Sequence, residues 1–113
     1  MKITNKTKGT TLADNAYLAA DLFSRLKGLL GRKCLREGEA LIIRPSNSIH
    51  TFFMRFAIDV LFVDRQNKII AALKDILPWR VSPVYWNAYY VVELSRGVIE
   101  KTGTSAQDEI ILS

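Results

Sequence analysis

His50 is the only histidine in the chain and lies in the stretch "SNSIHTFFMRFAID", Ser46 to Asp59. Imidazole is the side chain suited to take and return a proton near neutral pH, so His50 is the natural general acid or base. Asp59 and Glu93 are the carboxylates that could orient it, and Ser46, Ser48 and Thr51 supply hydroxyls close by in sequence. A serine, a histidine and an aspartate make a triad only when geometry joins them, and no glycine here could build the strained turn and oxyanion hole. On the reactive reading the chain is a hydrolase or transferase with His50 as base, Asp59 or Glu93 orienting it, and Arg55 stabilising charge. The structural alternative has His50 and the hydroxyls bonding loop backbone, with Arg55 bridged to Asp59 or Glu93 to fix a strand end.

A second cluster, "PWRVSPVYWNAYY", places Trp79, Tyr85, Trp86, Tyr89 and Tyr90 on irregular, proline-bracketed backbone. Exposed rings there would form a stacking platform, whereas buried ones would close one end of a small β fold. The leading reading joins the two clusters in a binding module for a small anionic or carbohydrate-like molecule. Its ligand-binding residues are His50, Thr51, Arg55, Trp79, Trp86 and Glu93. Arginine grips a carboxylate or phosphate with two parallel bonds, and a tryptophan face stacks on a flat ring.

Other chemistry finds little support. There is no P-loop, dinucleotide fingerprint, Cys-x-x-Cys or His-Glu-x-x-His. With one histidine and one cysteine a zinc site would need carboxylates for its other ligands, so no metal and no cofactor is expected. Arg25, Lys27, Arg32, Lys33 and Arg36 form a basic set, but no groove-reading motif accompanies them, and nucleic-acid binding is the weakest reading. Cys34 fits a small buried apolar residue.

These residues need elements to hold them. "KITNKT" and "TTLADNA" flank Lys8-Gly9 and read as a hairpin, because glycine takes the positive φ of a tight turn. From Asp21, a plausible N-cap, Leu22, Phe23, Leu26, Leu29 and Leu30 recur at helical spacing, and Gly28 and Gly31 mark the helix's end. "ALIIRP" is a short strand. In "IDVLFVD" both alternating sets are apolar, as in a strand covered on both faces. "RQN" turns the chain, "KIIAAL" returns as the hairpin partner, and "AYYVVEL" and "DEIILS" are further strands. The fold expected is mainly β (β-rich α+β), a small antiparallel β-sandwich or barrel with one short helix near the N-terminus.

Length and composition agree. A chain of 113 residues fits a single domain over 1–113, and with 49% hydrophobic residues it can build a core without staples. The lone cysteine cannot form an internal bridge. "MKITNKTKGTT" lacks the apolar stretch of an export signal, and no apolar run is long enough to span a bilayer. Cytoplasmic localisation without a membrane partner is the expectation. Residues 1–55 carry ten Lys/Arg against four Asp/Glu, whereas residues 56–113 carry six against seven. The basic first half leaves room for an anionic partner.

The order "RLKGLLGRKCL", "GEALIIRPSNSIHTFFMRFAIDVLFVD", "PWRVSPVYWNAYYVVELSRGVIEKTG" resembles the bacterial family catalogued as domain of unknown function 192. The likeness runs from about Ala20 to the C-terminus and is most specific in its middle block. It implies a compact β-rich sandwich or barrel with one short helix, and no established reaction, cofactor or substrate. The family's pattern falls on Arg25, Gly28, Leu29, Ile49, His50, Thr51, Met54, Ile58, Asp59, Phe62, Glu93, Leu94 and Gly97. Similar proteins often read Pro-Cys where this chain has Pro45-Ser46, so a thiol ahead of His50 is absent here. They also commonly carry proline at the position of Ala57 and a Pro-Ala-Gly-like turn at Ser95-Arg96-Gly97.

Overall fold

A computed structural model describes residues 1–19, 35–52 and 54–113. The strands are β1 (Ile3–Asn5), β2 (Thr10–Ala13), β3 (Asn15–Ala19), β4 (Glu39–Ile43), β5 (Ile58–Val63), β6 (Ile69–Ile76), β7 (Tyr90–Ser95) and β8 (Ile110–Leu112). A short helix, α1 (Val98–Thr102), lies between β7 and β8. The strands form two sheets, β2-β1-β8 and β3-β4-β7-β5-β6, and neither closes into a barrel.

The hairpin of β1 and β2 turns at Gly9, whose φ of 70° needs no side-chain accommodation. Asp14 and Asn15 both donate their backbone N–H to Gly38 O, at 3.1 and 2.9 Å. That bend ends β2 in one sheet and starts β3 in the other. β3 then pairs parallel with β4, the one parallel pair among the described strands, so the expectation of an antiparallel fold holds only in part. The helix expected from Asp21 falls in residues 20–34, outside the described residues. The helix that is described lies near the other end, at Val98–Thr102.

All six residues of β5 are buried, as the double apolar alternation predicts. Leu61 and Val63 face the three-stranded sheet, where Ile3, Leu12 and Ile110 meet them with Val98 and Ile99 of α1. Ile58, Val60 and Phe62 point the other way, into a core shared with Leu41, Ile43 and Val91. Among the described residues, two loops roof that second core: Ile49 and Met54 press down from one loop, Phe56, Tyr85 and Ala88 from it and its neighbour. Full burial of such a side chain contributes about 1.5–3 kcal/mol, which Ile49 and Met54 approach and the half-buried Phe56, Tyr85 and Ala88 supply in part.

Candidate functional site

Among the described residues the roof consists of residues 44–52 and 54–57, after β4, and 77–89, between β6 and β7. The first leaves β4 through a cis Arg44–Pro45 bond. The two segments then run antiparallel as an irregular ribbon. Ser46 N–H donates to Tyr89 O, Tyr85 N–H to Asn47 O, Ser82 N–H to Ile49 O, and Thr51 N–H to Arg80 O, all at 2.8–2.9 Å. His50 pairs opposite Val81. By the same register Phe52 lies opposite Trp79, whose N–H donates to Thr51 O at 3.0 Å. The two irregular stretches singled out in the sequence are therefore one structure.

Side chains alternate across a ribbon, and here the alternation sorts the candidates. Ile49 and Thr51 point inward and are buried. The Thr51 hydroxyl donates to Leu77 O at 2.7 Å and accepts from Arg80 N–H at 2.8 Å, so it fastens one segment to the other and is not turned to a ligand. His50 and Phe52 point outward with Val81 and Trp79. The His50 and Phe52 rings are 4.9 Å apart and those of Phe52 and Trp79 5.7 Å, a tilted row of three on the surface. Phe52 itself is 37% exposed and does not anchor the loop in the core. The anchors are Met54 and Phe56, while Phe53 lies outside the described residues.

His50 Nδ1 accepts the Phe52 N–H at 3.3 Å. The neutral ring then carries its proton on Nε2, leaving that N–H to donate outward. Among the described residues no carboxylate bonds this imidazole. Asp59, its expected orienting partner, is buried and committed elsewhere. Asp59 Oδ2 accepts the N–H groups of Gly97 and Ile99 at 3.1 and 3.0 Å, and Oδ1 accepts Asp75 N–H at 2.9 Å. The carboxylate thus caps α1, whose own N-cap is Gly97, and holds the irregular backbone at Asp75, φ 56°, one residue before the end of β6. The His50–Asp59 pairing is corrected accordingly: the two belong to different parts of the molecule. Nor does Arg55 bridge to Asp59. It is exposed and makes no ion pair or hydrogen bond with a described residue.

Glu93 lies buried in the middle of the five-stranded sheet, opposite Val60 and Leu41, on the loop-roofed side with Val91. It is walled off from the ribbon's outer face by the second core. The aromatic cluster also divides. Tyr85 stacks on Phe62 at 4.5 Å and pins its loop to the core, and Tyr89 lies under the Arg65 guanidinium at 4.1 Å. Tyr90 is buried, its hydroxyl donating to Asn67 Oδ1 at 2.8 Å, and burial pushes its phenol well above the usual range. Trp79 and Trp86 remain outside, 56% and 83% exposed, and no ring contact joins Trp86 to the row.

Of the basic set, Arg36 is exposed, while Arg25, Lys27, Arg32 and Lys33, like Cys34, lie outside the described residues. Among the described residues no group of three or more His, Cys, Asp or Glu is placed to hold a metal ion. Arg80 escaped notice in the sequence. It is the second exposed guanidinium of the ribbon, and its Nη1 reaches only backbone, Trp79 O at 3.4 Å and Pro78 O at 3.5 Å. Alternation gives it the parity opposite to Trp79 and Val81, so its exposure was not legible from the pattern of the segment.

Two sheets around a doubly covered strand, with one open face roofed by a paired-loop ribbon, define a β-rich domain class. The chain belongs to the DUF192 family (Uncharacterized ACR, COG1430), whose model matches residues 3–112. A UPF0127 protein of Thermococcus sibiricus is 34% identical over 110 residues, covering 94% of this chain and 71% of that one. A UPF0127 protein of Pyrococcus furiosus is 35% identical over 109 residues, with 94% and 93% covered. A crystal structure of a protein of unknown function from Novosphingobium aromaticivorans superposes with a TM-score of 0.82 over 98% of this chain and 82% of the other, at 18% identity. That last likeness is one of fold.

Proposed function

We propose that this chain is a binding module that takes a small anionic, carbohydrate-like ligand on the outer face of the ribbon. One observation carries the reading: His50, Phe52 and Trp79 stand in a row on the surface, with two exposed guanidiniums, Arg55 and Arg80, in the same two segments. A ring of the ligand stacks on Trp79, the His50 Nε2–H donates to it, and an arginine takes its negative group. Thr51 serves by holding the two segments in register. Asp59 is spent on backbone N–H groups, and this removes the support for a hydrolase or transferase with a His50–Asp59 pair.

The test is calorimetric titration with a panel of acidic sugars and sugar phosphates. Wild-type protein binds at least one class. Trp79→Ala and Arg55→Ala each weaken that binding by about tenfold, the loss of one stacked ring or one charge-assisted bond. Thermal unfolding stays within a few degrees, because both side chains are exposed. Unchanged affinity in both variants would remove the site from the ribbon.

A further inference from the structure

We infer that the anionic group recognised by the ribbon is presented on a phospholipid surface, so that the module docks peripherally on an acidic membrane. This rests on the binding reading above and adds the source of the ligand. The ribbon exposes more apolar surface than a dissolved anion can use. Besides the two tryptophans, Leu77, Val81 and Val84 are exposed, Val81 by 67%. Aliphatic side chains offer nothing to a sugar hydroxyl or a free phosphate. At a bilayer they enter the boundary between headgroups and acyl chains, the depth that tryptophan also prefers.

Charge points the same way. Residues 44–57 and 77–89 contain Arg44, Arg55, Arg80 and His50 and no aspartate or glutamate. Two segments whose charged groups are all cationic complement anionic headgroups, whose surface attracts each nearby arginine by about fivefold in affinity. The backbone is also prepared. Between Asn47 and Thr51 the alternate residues Asn47, Ile49 and Thr51 bond across to residues 79–85, so these backbone groups are already satisfied when the ribbon meets a drier region. The Tyr85 ring on Phe62 and the Thr51 hydroxyl hold the platform rigid beforehand, so docking orders nothing new. Among the described residues no helix is long and apolar enough to cross a membrane, and peripheral docking needs none.

The experiment compares the full chain with three probes: vesicles of phosphatidylcholine alone, vesicles of phosphatidylcholine with phosphatidylglycerol, and glycerol phosphate in solution. Cosedimentation and tryptophan emission report binding. The expected result is binding to the phosphatidylglycerol vesicles with a blue shift, weakened by salt, and much weaker binding to the other two probes. Trp86→Ala lowers vesicle affinity on the order of tenfold, and Arg55→Gln with Arg80→Gln lowers it by about fivefold each. Val81→Asp abolishes it, and circular dichroism verifies that each variant is folded. Glycerol phosphate binding without vesicle binding overturns the membrane inference and leaves the binding module standing. Equal binding to both kinds of vesicle overturns the inference as well, because the arginines then contribute nothing. No binding to any probe overturns the membrane inference, and the acidic-sugar titration then decides the module reading separately.

Discussion

Asp59 and His50 lie close in sequence, yet one is buried to hold backbone and the other faces water. The two oxygens of Asp59 receive three N–H groups, from Asp75, Gly97 and Ile99. Nothing in "FAID" announces this, because the helix being capped starts far downstream and its own cap position holds glycine, which has no side chain to offer. The residue's chemical type was legible and its partner was not. Asp59→Ala strands the buried Ile99 N–H and frees two half-buried ones, at an expected cost of about 2–3 kcal/mol, since a buried unsatisfied group costs about 1–3 kcal/mol. His50→Ala removes an exposed ring and is expected to stay within about 0.5 kcal/mol. Urea unfolding of both variants measures the contrast. A large loss for His50→Ala and a small one for Asp59→Ala would reverse the assignment of roles.

At the scale of elements, strands whose two faces differ in hydrophobicity, or are apolar throughout, were readable from alternation. β5 is the clearest, and the turn at Asn67, φ 65°, follows from asparagine's tolerance of that conformation. β3 was not readable as separate from β2: the break at Asp14 is made by a backbone carbonyl, Gly38 O, that sequence does not reveal. α1 was missed because Val98–Thr102 is barely more than a turn, and helical periodicity needs a longer run to register. The ribbon was half legible. Its two segments stood out by composition, but their pairing depends on long-range register. Thr51 tests that pairing. Thr51→Val keeps the shape and removes the hydroxyl that bonds Leu77 O and Arg80 N–H, at an expected cost of about 1–3 kcal/mol. The loss should be local as well as global. Amide exchange at Thr51, Trp79 and Ser82 rises more than at Val91 or Val92 in β7. Uniform acceleration would mean that the hydroxyl holds the whole fold and not the ribbon.

At the scale of the whole molecule, the two ends of the chain are tied by one buried polar network beneath the three-stranded sheet. Asn5 Nδ2 donates to Asp108 Oδ2 at 2.9 Å and to Thr104 Oγ1 at 3.0 Å. Lys8 Nζ reaches both Asp108 oxygens at 2.8–2.9 Å, and Ser105 N–H donates to Oδ2 at 3.0 Å. Burial pushes the Asp108 carboxyl up, but the bonds from Asn5, Lys8 and Ser105, with the lysine's charge, outweigh it and hold the group below the usual carboxylate range. A lowered folded-state value means that the unfolded chain takes up the proton first as acid is added. The stabilisation is therefore complete above about pH 4, the unfolded value, and is lost as pH falls through the folded one. Wild-type protein is expected to lose stability over that acid range. Asp108→Asn starts lower at neutral pH, because its amide cannot replace the carboxylate opposite Lys8, and loses less on acidification. Denaturant midpoints at a series of pH values for the two proteins decide it: their difference should shrink toward low pH. A difference that stays constant would mean that Asp108 stabilises by shape alone, and that the tie between β1 and β8 owes nothing to its charge.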